Sequence, residues 1–100
     1  MSKRQDRVQT LHPDPTKSMP AVDRWKYEAV RKAILAAVPR SGEGLAFKEL
    51  PGRVREHLDA ESLETLGSVS WYATTVKLDL EARGELKRVS GARPQRLLRC

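Results

Sequence analysis

Residues 67–89 read Gly67-Ser-Val-Ser-Trp-Tyr-Ala-Thr-Thr-Val-Lys-Leu-Asp-Leu-Glu-Ala-Arg-Gly-Glu-Leu-Lys-Arg-Val89. Val69, Ala73, Val76 and Leu80 recur at three- and four-residue spacing, which puts them on one face of an α-helix. Ser68 stands where a hydroxyl can accept from a free N–H of the first turn, and Gly84 where the left-handed conformation ends helices. The spacing predicts a helix over 68–84. After it the period changes: Leu86-Lys-Arg-Val-Ser90 and Gln95-Arg-Leu-Leu-Arg99 flank Gly91-Ala-Arg-Pro94, as two short strands flank a hairpin turn.

Working upstream, Tyr27, Val30, Ile34, Ala37 and Val38 share a helical face. Asp23 can cap this first helix, Ala29, Ala33 and Ala36 add propensity, and Pro39 stops it at Val38. Arg40-Ser-Gly-Glu-Gly44 is a loop and Leu45-Ala-Phe47 a small strand. A second helix opens near Lys48, tolerating Pro51 in its first turn, where N–H groups lack partners anyway. Its stripe is Leu50, Val54 and Leu58. Residues 59–67 read as a connection, long enough for one short turn, with Leu63 and Leu66 turned inward. Residues 1–22 read as an extended arm broken by Pro13, Pro15 and Pro20, disordered before Thr10. One domain over 23–100 follows the arm.

The 100 residues hold 19 Lys+Arg against 13 Asp+Glu, a formal charge of +6. The charge is unevenly placed. Residues 59–85 carry two cations against six carboxylates, whereas the last fifteen carry five cations and no carboxylate. Such a basic strip favours polyanions, nucleic acid before membrane surface; the plainer reading is a solvated face that keeps a small protein soluble. The single cysteine, Cys100, excludes an intrachain disulfide and a cysteine metal cluster. No apolar run approaches the ~20 residues of a membrane span, and the basic start has no apolar stretch behind it, so no secretory signal is expected. The expected compartment is cytoplasmic.

Catalytic chemistry finds little footing. His12 and His57 are the only histidines and have no ligand spacing, so no metal is expected. No serine sits in a nucleophile elbow, and Ser41-Gly-Glu-Gly44 lacks the Lys-Ser or Lys-Thr of a phosphate loop. Asp79 with Glu81, and Glu61 with Glu64, read as solvated helix charges. The sequence reads as a non-enzyme without cofactors.

Helix, short strand, helix, connection, helix, strand, turn, strand is an order that resembles the winged helix-turn-helix superfamily, an α+β fold of three helices with a C-terminal β-hairpin wing. Val76–Val89 is similar to the end of a winged-helix recognition helix running into the first wing strand, through Leu80-Glu-Ala-Arg-Gly84 and the basic residues after it. The chain also resembles a group of small uncharacterised bacterial proteins that share the arm Asp14-Pro-Thr-Lys-Ser-Met-Pro20 and the pair Trp71-Tyr72. The resemblance implies binding of double-stranded DNA, with the third helix in the major groove and the wing on the phosphate backbone. It implies Ser70, Trp71, Thr74, Thr75 and Lys77 as helix contacts. Lys87, Arg88, Arg93 and Arg96 become wing contacts, which set affinity rather than sequence choice.

The residues depart from a typical base reader. On a helical wheel Trp71, Thr74, Thr75, Leu78, Glu81 and Ala82 point outward, and Lys77, on the flank, is the only cation between Gly67 and Leu80. No Arg, Asn or Gln is placed to read a base. Asp79, Glu81 and Glu85 would repel phosphates, so docking is expected through the N-terminal half of this helix and the basic wing. Trp25 with Leu35, and Trp71 with Leu78, form two apolar pairs off the core faces. Either the arm folds back over one of them through Leu11, Met19 and Val22, or they are an interface for a homodimer or a protein partner. The alternative function is therefore an interaction module without sequence-specific DNA binding.

Overall fold

The apolar stripes meet in a single core. The structure, a computed structural model describing residues 6–100, contains α1 (Arg24–Ala37), α2 (Leu50–Glu56), α3 (Ala60–Leu66) and α4 (Val69–Ala82), with a 3-10 turn, Phe47–Glu49, leading into α2. Val30 and Ile34 of α1, Leu50 and Val54 of α2, and Val76 and Leu80 of α4 are fully buried against one another. Burial of each such side chain contributes ~1.5–3 kcal/mol before the cost of ordering the chain. α1 stops at Val38, ahead of Pro39, as its sequence demands. Asp23 stands at its start, but its carboxylate makes no cap; it lies 3.5 Å from the Arg7 Nε instead.

The architecture is mixed α+β, with four α-helices rather than three among the described residues. The segment read as a connection contains α3, whose start is capped by Asp59 accepting from the Ser62 N–H at 2.7 Å. Leu66, at 1% exposure, anchors this helix in the core, and Gly67 takes φ +96° to turn the chain into α4. Ser68 caps α4 by accepting from the Trp71 N–H at 3.1 Å.

Among the described residues five short strands form two sheets. In the first, β1 (Arg7–Gln9) pairs antiparallel with β2 (Ala21–Asp23). The second has the order β3-β5-β4, from β3 (Leu45–Ala46), β4 (Leu86–Arg88) and β5 (Arg96–Arg99). Leu86 opposes Arg99 and Leu45 opposes Leu97, so the hairpin closes the open side of the helices through Leu86 and Leu97, both buried. Val89 and Leu98 are half-buried.

From residue 6 onward the arm is not a free extension. It doubles back as the β1–β2 hairpin, where the Thr10 N–H and hydroxyl both donate to the Pro20 carbonyl, at 3.2 and 2.5 Å. Val22 joins the core at 4% exposure. Residues 6–9 are thus ordered rather than disordered; for residues 1–5 that expectation lies outside the described residues. The periodicity of a helix was absent from this segment, but a three-residue strand pair carries too few residues to show the alternation that would reveal it. No helix among the described residues is long and apolar enough to cross a membrane.

Candidate nucleic-acid interface

α4 is packed on three sides, which changes the availability of its polar residues. Thr75 and Lys77, expected as DNA contacts, are buried, at 6% and 2% exposure. The Lys77 Nζ lies 2.9 Å from a Glu81 carboxylate oxygen and 4.7 Å from the centre of the Phe47 ring. Burial holds the Lys77 ammonium below its ordinary pKa, with the Glu81 pair opposing that shift. Its charge is committed to the protein interior. Glu81 is itself held, its carboxylate also lying 3.3 Å from the Arg88 Nε.

Asp79, read from sequence as a solvated charge, has no exposure at all. Its carboxylate accepts from the Leu11 N–H at 2.9 Å, from the Tyr27 hydroxyl at 2.5 Å, and from the Arg83 Nε at 2.9 and 3.0 Å. A buried carboxylate is tolerated only with such a complement of donors. Burial, followed by the bond to Asp79, pushes the Tyr27 phenol up to about 12. The Arg83 guanidinium also donates to the Gln9 carbonyl at 3.2 Å, so the arm is fastened along this side of α4. That fastening buries the polar flank the helical wheel left in solvent.

What α4 leaves outward is Ser70 and Trp71, exposed, and Thr74 and Leu78, half-buried. None of them is a cation. The hairpin supplies the charge instead. Lys87 and Arg93 are exposed, and neither pairs with a carboxylate among the described residues. Arg88 is shared with Glu81, Arg96 donates to the Gly44 carbonyl at 3.0 Å, and Arg99 donates to the Val38 carbonyl at 2.8 Å. Half of the expected wing contacts thus hold the domain together. Lys48, which the sequence did not single out, is exposed, and its neighbour Phe47 donates its N–H to the Gln95 carbonyl at 2.8 Å. Lys48 therefore stands beside the root of the wing loop; only the tertiary bond from the 3-10 turn to Gln95, just ahead of β5, reveals this.

The tryptophans are not covered by the arm. Trp25 and Trp71 are 43% and 46% exposed, and Leu11, expected as a cover, is itself 42% exposed. Met19 lies instead on the wall of a depression of about 700 Å³ formed mainly by the arm's own loop. Leu35 leans on the core, so it does not extend a surface with Trp25. The two tryptophans are linked differently, through residues the sequence reading passed over. The Lys26 Nζ lies 5.7 Å from the centre of the Trp25 ring and 5.4 Å from that of Tyr72, and Tyr72 meets Trp71 edge-on at 4.8 Å.

Among the described residues no group of three or more His, Cys, Asp or Glu side chains is placed to hold a metal ion. His12 accepts the Asp14 N–H at Nδ1, and His57 is an exposed residue at the end of α2. No curated protein and no solved structure matches the chain. A family model does match, over residues 7–97, nearly the whole of the arm, helices and hairpin described above, and the chain belongs to that family of unknown function, DUF6958.

Proposed function

We propose that the chain is a winged-helix protein that docks on double-stranded DNA, led by its hairpin rather than by its third expected helix. The sheet order β3-β5-β4, with a helix before β3 and α4 followed by β4 after a three-residue turn, supports the winged-helix reading, α3 being an added short helix ahead of α4. The observation that carries the function is the pair Lys87 and Arg93, exposed and free of carboxylates on a segment that contains no acidic residue. Lys48, on the other side of β5 from Lys87 and beside the root of the wing loop, adds a third exposed cation. On this reading the contacts are those of the hairpin cations to phosphates, and preference among sequences is weak. Thr75 and Lys77 are not contacts. On this reading the protein acts in the cytoplasm as a binding protein and not as an enzyme.

Fluorescence anisotropy of a labelled duplex, titrated with the protein across a salt series, tests the proposal. Three phosphates neutralised give a log–log slope of roughly −2 to −3, and Lys87→Ala or Arg93→Ala should each reduce its magnitude by about 1. Thr74→Ala should leave the slope unchanged. Duplex affinity weaker than ~10⁻⁴ M at low salt, the level of ordinary non-specific binding, overturns it.

A further inference from the structure

We propose that the aromatic face shared by α1 and α4 is the contact between two copies of this chain, arranged about a two-fold axis. Trp25, Lys26, Tyr72 and Trp71 form one continuous surface where the N-terminal ends of two helices meet. Both tryptophans of the chain expose more than two-fifths of their surface there, and neither indole is needed to close the core. Exposed tryptophans on adjoining helices mark a surface that gains by being covered.

The charges bordering this face choose its occupant. On one side lies α3, whose C-terminal Leu66 carbonyl accepts from the Lys26 ammonium at 3.2 Å. Asp59, Glu61 and Glu64 are exposed along this helix and its cap, and no cation occurs from residue 59 to residue 76. A phosphate backbone would be repelled here. On the other side is the outward face of α1, where Lys32 lies two turns beyond Trp25, exposed and without a carboxylate partner among the described residues. Glu28 on the same face offsets part of its charge. An aromatic centre with a basic residue on one flank and acidic residues on the other is self-complementary. In an isologous contact each flank meets the opposite flank of its twin, so Lys32 of one copy faces the α3 carboxylates of the other. The hairpins lie outside this contact, so the inference stands or falls independently of DNA binding.

Sedimentation equilibrium of the full chain without nucleic acid, from about 1 to 200 μM, tests it. The expected result is a monomer–dimer equilibrium that Trp25→Ser or Trp71→Ser weakens at least tenfold. Because loss of Trp71 also removes its packing on Tyr72, a charge exchange provides the second arm. Lys32→Glu and Glu64→Lys should each weaken association, and the two together should restore it. A monomer throughout the range overturns the proposal, as does a double exchange that restores nothing. So does quenching of the tryptophan fluorescence by duplex DNA with no change in mass per particle beyond one copy, which would give the face to nucleic acid.

Discussion

Asp79 decides more about this molecule than any other single side chain. One carboxylate gathers a backbone N–H from the arm, a phenol from α1 and a guanidinium from its own helix, all out of water. Hydrogen bonds to a charged partner contribute ~1.5–3 kcal/mol each in such sites. The Tyr27 phenol makes the arrangement testable by pH. Its pKa in the folded protein is about 12, above the value of 10.0 for an unperturbed tyrosine. The neutral phenol therefore stabilises the fold fully below pH 10, and that stabilisation is lost as pH rises from 10 towards 12. Lys77 works in the opposite sense, since burial lowers its pKa and stability recovers as the ammonium is lost. Tyr27→Phe isolates the first effect. It should lower stability at pH 7 by ~1–2 kcal/mol and flatten the fall above pH 10, as read from urea midpoints across the alkaline range. An unchanged alkaline fall would mean that another group carries it.

The elements are held by a few positions where backbone meets backbone. Gly44, at the entry to β3, has φ +83°, and a Cβ there would stand 2.6 Å from the Leu97 carbonyl oxygen. Gly44→Ala both strains the backbone and pushes β3 from β5; it should cost ~2–4 kcal/mol, seen as a lowered thermal midpoint, whereas Gly52→Ala, in open helical space, should not lower it. Most elements were legible as patterns. α1 and α4 announced themselves by long apolar stripes with Pro39, Ser68 and Gly84 at their ends, and the hairpin by its Gly91–Pro94 turn. α3 was missed because seven residues with only two large apolar side chains fall short of a readable period, although Asp59 was available as a cap. β1 and β2 escaped for the same reason, three residues each.

Across the whole molecule, the basic hairpin lies at one place and the aromatic face at another, so the two proposed roles can add. A dimer carries two hairpins and twice the free cations. The salt slope of duplex binding should then steepen from about −3 to about −5 as protein concentration rises through the dimer range, and remain shallow in Trp25→Ser. Anisotropy at two fixed protein concentrations checks this. The chain by itself determined which residues could form helices, where two of those helices stop, and that its unopposed cations gather at the C-terminal end, because period, caps and charge are local properties. Which of those polar residues face water was decided by the tertiary structure alone. A helical wheel assumes one buried side; α4 has the core on one side, the arm on a second and Phe47 on a third, and burial on all three turns Thr75 and Lys77 from candidate contacts, and Asp79 from a solvated charge, into structural residues.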